Sequence, residues 1–200
     1  MGKLENNPTS FFEKNNYIFM KNIIDKSYCE HLVSCVNKSI LKNEYRFFDP
    51  ISPTKYILTT VPYFEKLLLE FQNNMENLVN KKLYPTYSCC RMYLKNERLI
   101  IHTDQDSCEY SATITLGYSP ELKEPWEFCI SKNDKFKNVE QDYTSFQMDV
   151  GDAIIYSGFI PHWRKGPLNR EWHCQVFLHY VDANGPYAGC IYNCRDSLNL

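Results

Sequence analysis

The sequence predicts a mainly β fold with supporting helices (α+β), a jelly roll buttressed by amino-terminal helices. Two observations carry this. Hydrophobic residues recur at helical intervals before residue 83, and from residue 86 the period changes to strand-like alternation with turn signals at short, regular spacing. The chain has 200 residues, 44% hydrophobic and 23% charged, a composition that supports one folded core. We expect a single domain over 1–200, with helical support at 1–83, a jelly-roll core at 84–182 and a tail at 183–200.

The first helix is expected in "DKSYCEHLVSCVNKSIL", where Ser27 and Glu30 have capping-box spacing and Leu32, Val33, Val36 and Ile40 share a face. The second is expected in "VPYFEKLLLEFQNNMENLVNKKL". There Phe64, Leu67, Leu68, Phe71, Met75, Leu78 and Val79 repeat at three and four, and Pro85 forbids continuation. Between them, "YRFFDPISPTKYILTT" has two prolines and reads as irregular or short extended structure. Eight short strands follow: "TYSCCRMYL", "RLIIHTD", "EYSATITLG", "WEFCISK", "TSFQMDV", "DAIIYS", "IPHWRK" and "WHCQVFLHYV". That many strands in about a hundred residues suit two packed sheets with an open mouth between them.

The net charge of −2 gives no electrostatic case for nucleic acid or an anionic membrane as partner. No segment approaches a membrane span, and no long apolar run marks a leader at the amino terminus. We therefore expect a soluble, intracellular, cytoplasmic protein. Its nine cysteines, an odd number scattered through apolar segments, fit reduced and buried thiols in such a compartment. Cys190 and Cys194 lack a second pair at zinc spacing. Nothing in the sequence predicts the oligomeric state.

The chemistry begins at "RLIIHTD". Strand alternation sends residues i and i+2 to one side, so His102 and Asp104 are expected to face the barrel interior together. His162, past a Gly-Asp turn and an apolar strand, is the third candidate metal ligand. Two histidines and a carboxylate on one face of an octahedral metal leave three positions open, the facial triad of non-haem Fe(II) oxygenases. A dicarboxylate cosubstrate on such a metal needs a cation at its far end, and a guanidinium grips a carboxylate through two parallel hydrogen bonds. Arg164, two residues past His162, is the first choice for that anchor and Arg170 the second. Tyr93 can add a hydroxyl. Arg91 shares the side of Tyr93 and reads as structural, a partner for Glu109 or Asp152. His173 and His179 share the parity of Phe177 and read as groups packed or hydrogen-bonded in the sheet.

The arrangement "MYLKNERLIIHTD…GDAIIYSGFIPHWRKGPLNREWHCQVFLHY" resembles the Fe(II)- and 2-oxoglutarate-dependent dioxygenases, nearest their prolyl-4-hydroxylase-like branch, over roughly residues 83–188. The resemblance implies a double-stranded β-helix and iron ligands His102, Asp104 and His162, with 2-oxoglutarate and O2 as cosubstrates. In that branch a basic residue follows the distal histidine by about nine or ten positions. Arg170 follows by eight, and Trp172 and His173 cannot serve as permanent cations, which favours Arg164. Related halogenases have a small residue where this chain has Asp104, so hydroxylation of a small-molecule or peptidyl substrate is the implied reaction. The alternative is a cupin-like metal- or ligand-binding protein without oxygenase activity.

Overall fold

A computed structural model describes residues 7–45, 54–120, 125–132 and 139–200. Three α-helices and nine strands make up most of it. They are α1 (Pro8–Asn15), β1 (Tyr17–Met20), α2 (Lys26–Leu41), β2 (Tyr56–Thr59), α3 (Pro62–Val79), β3 (Leu83–Leu94), β4 (Tyr110–Tyr118), β5 (Phe128–Ser131), β6 (Tyr143–Phe146), β7 (Ala153–Ser157), β8 (His162–Arg164) and β9 (Trp172–Asp182). A six-stranded sheet runs β1-β7-β4-β9-β3-β2 and a three-stranded sheet runs β6-β5-β8, with antiparallel pairing throughout.

The large sheet is buried on both faces, and the residue types on each face say what it meets. Cys174, Val176, Leu178 and Tyr180 of β9 join Ala112, Ile114 and Leu116 of β4 and Cys90 and Met92 of β3 in the core beneath the helices. α3 supplies Phe64, Leu67, Leu68, Phe71 and Met75 to that core, and the Tyr180 hydroxyl donates to Leu68 O at 2.7 Å. The opposite parity faces the space between the sheets. Its residues are Ser111, Thr113 and Thr115 of β4, His173, Gln175, Phe177 and His179 of β9, and Tyr87, Cys89, Arg91 and Tyr93 of β3. Register lines them up in rows across the three strands: Ser111–His179–Tyr87, Thr113–Phe177–Cys89 and Thr115–Gln175–Arg91.

Several expectations need correction. "RLIIHTD" is not a strand: apart from an isolated bridge between His102 and His162, residues 98–104 are irregular, and Ile100 is exposed. α2 starts at Lys26 with Asp25 as its N-cap, so the Ser27/Glu30 pair lies inside the first turn and does not frame it. α3 ends because Asn80 adopts the left-handed conformation; Pro85 lies further on, in β3, where the register with β9 shifts. α1 and β1 were not foreseen. Part of the proline-bearing segment, 46–53, falls outside the described residues, and its remainder contains the short strand β2. All nine cysteines are free, six of them buried, and among the described residues no helix is long and apolar enough to cross a membrane.

The tail is fastened by one buried carboxylate. Glu65 of α3 is fully buried; its Oε1 accepts from Ser88 N and Ser88 Oγ, and its Oε2 from Arg195 Nη2 at 2.9 Å. Arg195 also donates to Thr86 O and Tyr192 O. Arg195→Ala strands the Glu65 charge, and a loss of about 3 kcal/mol is expected. A denaturant melt showing less than about 0.5 kcal/mol would place this contact among ordinary surface pairs.

Candidate metal centre

His162 opens β8, His102 pairs with it by reciprocal backbone hydrogen bonds (His102 N to His162 O 3.2 Å, His162 N to His102 O 2.9 Å), and Asp104 N donates to Gly158 O at 2.8 Å. A loop hung on backbone anchors to His162, Gly158 and Arg164, whose N donates to Leu99 O at 3.1 Å, and not strand alternation, therefore brings the three side chains together. Asp104 Oδ1 lies 3.6 Å from Nε2 of both His102 and His162. Each imidazole donates Nδ1–H to a carbonyl two residues earlier, His102 to Ile100 O at 2.8 Å and His162 to Ile160 O at 3.0 Å. That leaves both Nε2 lone pairs directed at the carboxylate.

Three electron-rich atoms facing one point need a cation among them. A proton is a poor candidate at neutral pH, because burial pulls the His102 pKa down to about 4 against the pull of Asp104. Burial works to raise the Asp104 pKa, but His162, His179 and His102 hold it well below the usual carboxylate range. A divalent ion about 2.1 Å from each donor would set neighbouring donors about 3 Å apart, so the group needs to close by roughly half an ångström. The donor set and its fixed tautomers fit such an ion. Carbonyl-tied Nδ1 atoms are the usual outer support of metal-binding histidines.

The other carboxylate oxygen is held too. Ser111 Oγ lies 3.1 Å from Asp104 Oδ2 and 2.9 Å from His179 Nδ1, and Tyr87 OH lies 3.2 Å from Cys108 Sγ behind them. Sequence reasoning missed this support. The signal was available in the Ser-x-Thr-x-Thr alternation of β4 and the His-x-Gln-x-Phe-x-His alternation of β9, mostly polar groups on the inner side of strands whose other side is apolar. Gly158 closes the back of the site: a Cβ there would sit 2.0 Å from Cys108 O and 3.1 Å from Asp104 Oδ2. Gly158→Ala must push the Asp104 loop away, and a loss of about 10–100-fold in metal affinity is expected, the range of an outer-support change. Unchanged affinity in a chelator competition would show that the loop yields freely.

Acid should loosen this region in the metal-free protein. His102 and His179 are each pulled to about 4, burial being the largest cause. Below the ordinary value of about 6.5 the unfolded chain binds protons that the folded chain refuses. The stability they contribute is complete above about pH 6.5 and is lost as pH falls towards 4, on the order of 3 kcal/mol at most for each imidazole. Thermal melts of metal-free protein should fall steadily over that window, and a flat profile would contradict the burial of neutral imidazoles.

The triad opens onto a cavity of about 410 Å³, lined also by Tyr87, Cys89, Arg91, Leu99, Phe177 and His179. Arg164 does not line it: it is 2% exposed and borders a separate cavity that shares Leu99 with the first and includes Trp163 and Lys165. Its guanidinium donates to Trp126 O and, at 3.0 Å, to Gln175 Oε1; it lies 3.4 Å from His173 Nε2 and over the rings of Trp126 and Phe128. Among the described residues no carboxylate pairs with it, and burial lowers its pKa to about 10. Its Nε, Thr115 Oγ1 and Gln175 Nε2 are buried without a hydrogen-bond partner among the described residues. Tyr93 is fully buried in the same region, edge-on to Trp126 at 5.0 Å.

Arg170 is elsewhere. It donates to Ser119 O, lies 4.4 Å from the Tyr118 ring centre and lines a different cavity. Arg91 lines the triad cavity beside Phe177. The carboxylates expected to pair with it are engaged by backbone amides: Glu109 accepts from Asp182 N, and Asp152 from Asn22 N and Asp149 N.

No protein-family model and no curated protein matches the chain. Solved structures do. EctD from S. alaskensis with bound Fe has a TM-score of 0.71 at 10% identity, covering 100% of this chain and 89% of that one. HygX from Streptomyces hygroscopicus with nickel and 2-oxoglutarate bound has 0.67 at 14% identity, covering 91% and 89%. A Pseudomonas putida prolyl-4-hydroxylase has 0.63 at 9% identity, covering 86% and 96%. The fold is that of the Fe(II)/2-oxoglutarate oxygenases, a double-stranded β-helix. At these identities the likeness is one of fold. Within it the two sheets are the walls of the barrel and the triad lies at its open end, so the oxygenase fold accounts for the helices along the large sheet as a buttress.

Proposed function

We propose that this chain is a non-haem Fe(II)- and 2-oxoglutarate-dependent dioxygenase that hydroxylates a C–H bond of a small-molecule or peptidyl substrate. O2 supplies one oxygen to the substrate and one to succinate, and the cosubstrate loses CO2. One observation carries the reading: two buried imidazoles, each tied by Nδ1 to a backbone carbonyl, direct Nε2 at one oxygen of a single carboxylate. On this reading residues 1–200 form one catalytic domain that works in a reducing intracellular compartment.

Bound Fe(II) would supply the oxidising power once cosubstrate and dioxygen have joined it. The rest of the work falls to the chain. His102, Asp104 and His162 would hold the metal, Ser111 keeps Asp104 Oδ2 from swinging away, and the carbonyls of Ile100 and Ile160 keep both imidazoles in one tautomer. Arg164 would receive the far carboxylate of 2-oxoglutarate. Its guanidinium reaches His173 on β9, the strand on which the family resemblance expects the cation, so a residue of β8 supplies the charge there. Tyr93 would add a hydroxyl, and Thr115 and Gln175 have buried polar atoms in the same place. Arg170, outside the barrel, would then serve as a surface contact. Leu99 and Phe177 line the mouth and limit water.

The test is anaerobic. Fe(II) followed by 2-oxoglutarate should give the visible charge-transfer band of a chelated complex, and His102→Ala should abolish it. Tight zinc binding without the band, or no consumption of 2-oxoglutarate in air, would return the chain to the cupin-like binding reading.

A further inference from the structure

Two oxidisable side chains meet on the wall of the triad cavity. Tyr87 reaches it from β3, and Cys108 from a single 3₁₀ turn, Asp106–Cys108, that follows the Asp104 loop. The phenol oxygen and the thiol sulfur are 3.2 Å apart. Gln105 Nε2 donates to the same phenol oxygen at 3.3 Å, and the ring packs on His179 with centres 4.6 Å apart. The ring is therefore held from its face and from its polar edge, with the sulfur at that edge. The two carbons ortho to the hydroxyl flank it, and these are the electron-rich positions of a phenol. A small turn of the Cys108 side chain carries its sulfur from the oxygen to one of them.

The pair also lies close to the metal ligands. Cys108 Sγ, a carboxylate oxygen of Asp104 and a ring nitrogen of His179 are all within 4.8 Å of one another. Cys108 is 1% exposed, so it is shielded from oxidants in bulk water, and site-selective thiol oxidation follows exposure. An oxidant generated at His102, Asp104 and His162 needs no such exposure. The inference drawn here rests on that oxygenase reading. With a prime substrate in the cavity the oxidising power goes to its C–H bond; without one, Tyr87 and Cys108 are oxidisable groups already in place.

We propose that Tyr87 and Cys108 form a self-modification site, joined by a thioether between Cys108 Sγ and a ring carbon ortho to the Tyr87 hydroxyl when 2-oxoglutarate is consumed without prime substrate. The S–H bond and one ring C–H bond break, and the S–C bond forms. Both hydrogens and the two electrons released leave with one oxygen atom of O2 as water. The other oxygen atom enters succinate as 2-oxoglutarate loses CO2. The link ties β3 to the segment that carries Asp104, and it closes the route by which the thiol would be driven to sulfinic or sulfonic acid.

The experiment uses the full chain, purified reduced and metal-free, loaded anaerobically with Fe(II) and 2-oxoglutarate and then exposed to air with no other substrate. Mass spectrometry reads the product after reduction and alkylation. The expected species has lost two hydrogen atoms, resists thiol reductants and takes up one alkyl group fewer than untreated protein. Trypsin should release from it a branched peptide joining residues 83–91 to residues 99–123, with the branch at Tyr87 and Cys108. Omission of Fe(II), 2-oxoglutarate or O2 should prevent the link. Tyr87→Phe and Cys108→Ser should each lose it, and the anaerobic charge-transfer band shows whether either variant still holds metal and cosubstrate.

An unchanged mass while wild-type protein consumes 2-oxoglutarate overturns the inference. So does a mass loss that a thiol reductant reverses, which is a disulfide, or a gain of oxygen at either residue without the branched peptide. A link formed equally well without 2-oxoglutarate overturns the assigned chemistry, because metal and O2 alone would then suffice. Absence of both the charge-transfer band and 2-oxoglutarate consumption in wild type is a different failure: it removes the oxygenase reading itself, and this inference with it.

Discussion

His162→Ala is expected to weaken Fe(II) binding by more than about a hundredfold, since loss of an outer-support residue alone typically costs 10–100-fold, and to abolish 2-oxoglutarate consumption. On the proposed reading the imidazole would supply one of three donors, and His102 and Asp104 would be left to hold the metal alone. The substitution also leaves a hole, because the His162 ring lies 4.2 Å from that of His102, 4.5 Å from Tyr156 and 5.9 Å from Phe128 by ring centres. A stability loss of about 2–3 kcal/mol should accompany it, so metal affinity must be measured on protein shown to be folded at the assay temperature. A competing donor group exists: Asp104, Cys108 and His179 also place ligand atoms within 4.8 Å of one another. Cys108 is a weaker prospect, because burial raises its thiol pKa and metal binding needs the thiolate. If His162→Ala keeps wild-type Fe(II) affinity while Cys108→Ser loses it, the metal belongs to that second group and the triad is wrong.

The convergence of His102, Asp104 and His162 was legible because their residue types, order and spacing pointed to one another, and these survive errors in local structure. Alternation along "RLIIHTD" gave the right convergence for the wrong reason. β8 is three residues long and offers 98–104 a single bridge, so the stretch cannot form a ladder, and backbone bonds to His162 and Gly158 do the positioning. The edge strands β1 and β2 could not be read from period. Each has four residues and is stabilised by docking on β7 or β3, a contact that only the assembled sheet supplies. Arg91 shows the same limit. Its parity with Tyr93 was visible, but whether that side met the helices or the cavity depended on which face of β3 the barrel encloses.

The second large effect concerns Arg164, and its sign separates a structural arginine from a cosubstrate anchor. Arg164→Met keeps the length and apolar stem of the side chain and removes a buried cation that no carboxylate of the described residues neutralises. A guanidinium serving only the fold would reveal itself through stability, because Trp126 O and Gln175 Oε1 would lose their donor, at a cost of roughly 1–3 kcal/mol for each acceptor left unsatisfied. An anchor would reveal itself through ligand binding. Losing a buried guanidinium–carboxylate pair costs about 3–5 kcal/mol, so the Kd for 2-oxoglutarate should rise by at least about 10²-fold and up to several thousand-fold while Fe(II) affinity stays near wild type. The thermal shift that saturating 2-oxoglutarate gives the metal-loaded protein should shrink accordingly, since that shift reports binding to the folded state alone. Arg170→Ala, at the Tyr118 surface, should leave both quantities unchanged. If Arg170→Ala abolished cosubstrate binding and Arg164→Met did not, the anchor would have to be reached from outside the barrel, and the unpaired polar atoms around Arg164 would need another occupant.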